Sequence, residues 1–177
     1  LRLYRRLEEL GAAPAGVKDR VLAAIAAAAL REWQEVLRIG ASLEDSADPL
    51  TANIALVMAE GCLRTGDIER AEYWEARGID EVERAVVRSE ILLAKGDAPG
   101  ACEAARQYVD DSYRAAAATA AALLELNRYD DAIEVATRGL KGNDAGAQTL
   151  MVIIARAMQM SGRYQEAEAL YQDLSRA

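Results

Sequence analysis

The stretch ARAMQMSGRYQEA at residues 155–167 carries an alanine at each end and the turn Ser161-Gly162-Arg163 between them. Apolar residues at helical spacing run into the turn and a second helical stretch leaves it, so the segment reads as two antiparallel helices joined by a tight bend. Gly162 supplies the left-handed backbone that ends the first helix. Ala155 and Ala167 are small because antiparallel helices approach most closely at one level, where only a short side chain fits on each partner. The same arrangement occurs three times upstream. Thr65-Gly66-Asp67, Lys95-Gly96-Asp97 and Leu126-Asn127-Arg128 are flanked by Ala59 and Ala71, Ser89 and Ala101, and Ala120 and Ala132, every pair 12 residues apart like Ala155 and Ala167. Successive turns are 30, 31 and 35 residues apart, the period of helical solenoid repeats.

These residues resemble the tetratricopeptide repeat (TPR) family, whose motif has small residues at its eighth and twentieth positions, Gly or Asn with Asp at the turn, and a large apolar residue closing the second helix. The last unit matches best, through Ala155, Met158, Gly162, Tyr164, Ala167 and Tyr171. The resemblance implies an all-α, right-handed α-solenoid of helix-turn-helix repeats with an N-terminal helical cap. Its units would be 52–81, 82–112, 113–147 and 148–177, closed by Ile79, Val109 and Leu140 in the first three. The early units are shorter than the family's usual repeat, the terminal proline is absent, and the third unit has Asn127 in place of Gly.

Residues 1–51 lack the paired small positions. Leu3, Tyr4, Leu7 and Leu10 mark a short amphipathic helix, and residues 11–16 a loop, so 1–16 form one segment. Residues 17–51 read as one long helix from about Val17 to Ile39, a cap or a degenerate repeat, because Leu22, Ile25, Ala29, Trp33, Val36 and Leu37 keep one helical stripe. The apolar run from Val21 to Leu30 is too short to span a bilayer. Asp48-Pro49 is a helix N-cap followed by proline, which sets a helix start near Pro49.

Composition narrows the chemistry. Alanine supplies about a fifth of the 177 residues, and phenylalanine and histidine are absent. Without histidine the chain lacks the commonest general base and metal ligand. A net charge of −8 gives no overall attraction to nucleic acid or anionic membranes. Arginine far outnumbers lysine, which occurs only at 18, 95 and 141, as a GC-rich bacterial genome would produce. Cys62 and Cys102 stand apart without metal-ligand spacing, so both read as packed, reduced thiols of a cytoplasmic protein, a periplasmic location staying open. Trp33 and Trp74 read as packing anchors. The glycine-containing stretches 96–100 and 142–146 lack the Lys-Ser/Thr of a phosphate loop and read as turns. Asp110-Asp111 and Asp130-Asp131 lie beside turns, where carboxylates favour the N-terminus of the following helix. No enzyme, cofactor or metal site is expected.

The resemblance implies that the first helices of successive units line a concave groove that takes a partner segment. The groove positions would be Asn53, Leu56, Glu60 and Arg64, then Val86 and Glu90, then Ala117 and Ala121, then Val152, Arg156 and Gln159, with Leu63, Val87, Leu93, Arg114, Leu124 and Thr149 on the same faces. The Lys and Asn cluster with which some family members clamp a terminal carboxylate is not found. Apolar Leu56, Val86, Ala117 and Val152 among opposite charges suit an amphipathic helix or an extended apolar peptide. The expected function is therefore a non-catalytic protein–protein interaction module of a larger bacterial scaffold, regulator or secretion component, with another protein as partner, no nucleic acid and no membrane insertion. The alternative is a self-assembly module, such as a homodimer, whose N-terminal helix packs in its own or a neighbour's groove.

Overall fold

The computed structural model describes residues 4, 16–44, 46, 48–140 and 146–176. Most of the amphipathic segment read at 1–16 and most of the turn read at 142–146 lie outside these residues. Among the described residues there are ten α-helices, one 3-10 segment and no strand. The helices are α1 (Val17–Ala29), α2 (Trp33–Ala41), α3 (Ala55–Thr65), α4 (Ile68–Glu75), α5 (Glu81–Ala94), α6 (Ala98–Arg106), α7 (Tyr113–Glu125), α8 (Tyr129–Leu140), α9 (Ala147–Met160) and α10 (Tyr164–Arg176), with the 3-10 segment Pro49–Ile54 leading into α3. The chain divides within α5 into two units, 1–87 and 88–177.

Five turns close five helix pairs by one backbone scheme. Arg31, Gly66, Gly96, Asn127 and Gly162 all have a left-handed φ, between 57° and 84°. In each turn the next residue's N–H reaches back five residues, for example Asp67 N to Cys62 O at 2.9 Å, Asp97 N to Leu92 O at 2.9 Å and Arg163 N to Met158 O at 2.8 Å. The left-handed residue itself bonds three residues back, as in Gly96 N to Leu93 O at 2.9 Å. This double bond pattern satisfies carbonyls that a helix end otherwise leaves open. The small pairs meet as expected: Ala59, Ala71, Ser89, Ala101, Ala120, Ala132 and Ala155 are fully buried and Ala167 nearly so. The Ser89 hydroxyl donates to the Ala101 carbonyl at 2.8 Å, which accounts for a serine at that level.

The first of these turns corrects the reading of residues 17–39 as a single long helix. Leu30 to Glu32 break it into α1 and α2, and Glu32 N bonds Ala27 O at 2.9 Å in the same scheme as the other turns. Ala24 and Val36, again 12 residues apart, are fully buried at its crossing level. Arg31 adopts the left-handed conformation at a cost of about 1–2 kcal/mol that glycine would not incur.

In unit 1, α2 lies on α3 with glycine at the close approach. A Cβ on Gly61 would touch Leu37 and Val36, and one on Gly40 would overlap the Met58 side chain. Arg20 donates to the Ser42 carbonyl at 2.9 Å, tying the start of α1 to the end of α2. Arg70 pairs with Glu44 at 3.0 Å and Arg84 with Glu75 at 2.9 Å. Unit 2 has an alanine-rich core, with Ala101, Ala116, Ala120, Ala132 and Ala136 beside Val109, Leu123, Leu124, Leu150 and Ile154. Of the three closing residues expected from the repeat pattern, Val109 is buried and Leu140 half-buried, whereas Ile79 is 68% exposed and closes nothing.

The aspartates divide their work. Asp67 caps α4 through Arg70 N at 3.1 Å and Asp97 caps α6 through Gly100 N at 2.9 Å. Ser112, not the neighbouring Asp110 or Asp111, caps α7 through Ala115 N. Asp110 instead holds Arg138 of α8, raising that guanidinium's pKa by hydrogen bonding, and Asp130 holds Arg163 at 2.9 Å, so each links one hairpin to the next.

Candidate partner-binding face

The first helices of the hairpins in unit 2 come together. The C-terminal halves of α5 and α7, the α5–α6 turn and the middle of α9 enclose a depression of about 560 Å³. Its lining is Leu93, Ala94, Gly96, Ala98, Ala121, Leu124, Glu125 and Arg156. Half-buried Leu93 and Ala121 give it accessible apolar surface over the nearly fully buried Leu124 and Ala98, and Arg156 and Glu125 are exposed at its edge. Of the sequence-based groove positions, Leu93, Ala121, Leu124 and Arg156 line it. Val152, one turn before Arg156, is 44% exposed. Gln159 is exposed and belongs to a second depression of about 350 Å³, together with Tyr164, Ala167, Glu168, Tyr171, Gln172 and Ser175 of the last hairpin. Glu90 and Ala117 are half-buried.

Unit 1 treats its candidates differently. Asn53 lies in the 3-10 segment, not on α3. Leu56 packs on the backbone of Gly78, where an added Cβ would overlap it. Glu60 and Arg64 pair with each other at 3.4 Å. Val86 is 1% exposed and Val87 equally buried, which corrects their assignment to an open groove: a side chain without accessible surface offers nothing to a partner. Sequence reasoning missed Ala94, Gly96, Ala98 and Glu125, because they reach the depression from a turn and from helix ends.

The geometry provides apolar area and isolated charges, with no cluster of metal-ligating groups among the described residues. Among the described residues no group of three or more His, Cys, Asp or Glu could hold a metal ion, and no helix is long and apolar enough to cross a membrane. Cys62 and Cys102 are both buried and free. Burial pushes the Cys62 thiol up to about 11 and raises Cys102 as well. An unfolded thiol ionises near 9, so the unfolded chain gains from ionisation at a pH where buried Cys62 does not. Its contribution to stability is therefore intact at neutral pH and lost as pH rises from about 9 towards 11. Labelling of the native protein with an aromatic disulfide reagent at pH 8 is expected to be slow at both sites and to become fast in denaturant. Rapid native labelling would show that the thiols are not packed.

No family model matches this chain, and no curated protein matches it. A solved structure of MamA from AMB-1 superposes with a TM-score of 0.54, covering 86% of this chain and 86% of its own, at 18% identity. That neighbour is a helical TPR-like solenoid. The fold of this chain is therefore an all-α, TPR-like solenoid. At this level of identity the likeness concerns the fold alone, and the chemistry of the TPR-like face rests on the residues above.

Proposed function

We propose that the chain is a non-catalytic protein–protein interaction module whose face on α5, α7 and α9 binds a helix or extended segment of another protein. The observation that carries this reading is the apolar-floored depression at Leu93, Ala121 and Leu124, with exposed Val152 and Arg156 on α9 beside it. An interface needs a desolvated apolar centre with polar groups around it, and this face has both. Glu90, Ala117 and Gln159 extend the same face. The two isolated, buried thiols and the arginine-rich composition support a bacterial cytoplasmic scaffold or regulator.

Affinity capture from the source cell with wild type, Val152→Glu and the outward Glu134→Lys tests this. A specific partner is expected to be retained by Glu134→Lys and weakened by about 1–2 kcal/mol in Val152→Glu, with the melting temperature nearly unchanged because Val152 is already exposed. Equal capture by all three, or a large fall in melting temperature for Val152→Glu, would falsify the assignment of the face.

A second reading, self-assembly through the N-terminal segment, has one observation in its favour. Helix α1 exposes Leu22 and Ile25 at 55% and 41%, and Leu30 just past its end is 62% exposed. A neighbour's Leu3-Leu7-Leu10 stripe would suit that surface. Light scattering with and without residues 1–16 separates the readings: a dimer lost on truncation supports assembly, and an unchanged monomer removes it.

A further inference from the structure

Three features of unit 2 converge on Arg156. The first is register. Arg156 directly follows the small residue Ala155 of α9, and the equivalent position on α7, after Ala120, is Ala121. One helix therefore presents a methyl group where the next presents a long cation. The missing bulk at Ala121 opens the hollow, since its methyl lines the same depression as Leu93, Leu124 and Arg156. The second feature is pairing. Arg128 bonds Asp131 at 2.7 Å, Arg163 bonds Asp130 at 2.9 Å, and Arg138 is held by Asp110. Arg156 has no carboxylate partner among the described residues, in a chain with 29 acidic and 21 basic residues. The third is the position of Glu125, which lines the same depression and makes a second acid there unfavourable.

We infer that the hollow selects a partner segment carrying a large apolar side chain next to an aspartate or glutamate, the apolar group seated over Ala121 and the carboxylate paired with Arg156. This rests on the interaction reading above and specifies the partner's chemistry. Burial of the apolar anchor supplies affinity. A guanidinium at the edge of an apolar hollow is desolvated once the anchor is seated, and its planar fork takes a carboxylate through two parallel hydrogen bonds. Glu125 adds discrimination, because a second acid on the segment would set one carboxylate against another in the same depression.

The test is selection of binders from a random linear peptide library displayed on phage, against the full chain. The selected peptides are then titrated against wild type, Arg156→Glu and Ala121→Leu. Arg156 is exposed and Ala121 half-buried, and circular dichroism checks that both variants keep the fold. The expected consensus is a large apolar residue beside Asp or Glu. Binding should fall about tenfold or more in each variant. A peptide with Lys in place of the acid should regain affinity for Arg156→Glu and not for wild type, which no purely structural role of Arg156 would produce. Binders lost on Ala121→Leu but indifferent to Arg156→Glu overturn the inference and leave the interaction reading standing. Binders indifferent to both variants, or a library that yields none above background, overturn both.

Discussion

Gly139→Val is expected to destabilise unit 2 by about 3 kcal/mol, read as a shift in the urea midpoint of the full chain by circular dichroism. Gly139 lies inside α8, where glycine would ordinarily be the poorer choice by about 1 kcal/mol relative to alanine. A glycine here has a steric cause. A Cβ at this position would lie 2.4 Å from the Ala116 Cβ of α7 and 3.2 Å from Leu150 of α9. Carbon atoms pack at about 3.5–4.0 Å, and the Ala116 methyl has no rotamer by which to withdraw, so the helices must separate. Ala132, Ala136 and Gly139 form a continuous small-residue seam on α8, all buried. Gly66→Ala provides the contrast. Nothing lies within 4 Å of a Cβ there, and its cost comes from the left-handed φ of 84° alone. A Gly139→Val chain that unfolds at the wild-type midpoint would show that α7 and α8 do not approach as described.

Four of the five hairpins were legible because each carries two marks, a left-handed Gly or Asn and a pair of small residues 12 apart. The first hairpin has the same backbone hydrogen bonds but neither mark in full, with Arg31 at the turn and Val36 opposite Ala24. Backbone donors do not depend on side-chain identity, so the geometry survives a substitution that removes its trace from the sequence. The helical stripe through Leu22, Ile25 and Ala29 also misled, because these residues face outward while Val21, Ala23, Ala24 and Ala27 are buried. At a close helix crossing, size decides which face is core, and the smaller residues win over the more hydrophobic ones. The candidate face shows the same limit. Helical period places Val86 and Val152 at equivalent positions, yet one is 1% exposed and the other 44%. Burial depends on neighbours that periodicity does not contain.

Trp74→Ala is expected to cost unit 1 about 3–5 kcal/mol, the range for deleting a large buried aromatic. Trp74 lies on α4 at 1% exposure and heads the fully buried side chains by volume. Its loss also unseats the ring beside it. Tyr73 meets Trp74 edge-on at 5.4 Å, and Arg77 stacks 3.5 Å from the Tyr73 ring centroid, so the indole packs against a ring that carries a surface cation–π contact. A second variant separates packing from polarity. The indole Nε1 is buried without a hydrogen-bond acceptor among the described residues, and an unsatisfied buried donor costs about 1–3 kcal/mol. Trp74→Phe removes that donor while keeping an aromatic ring, so the relief offsets part of the lost apolar contact and the net cost should be only about 1 kcal/mol. Denaturation of both variants followed by circular dichroism measures the two terms. A Trp74→Phe variant as unstable as Trp74→Ala would mean that the indole N–H is bonded in the native protein and that this donor, as much as the ring, holds α4 in place.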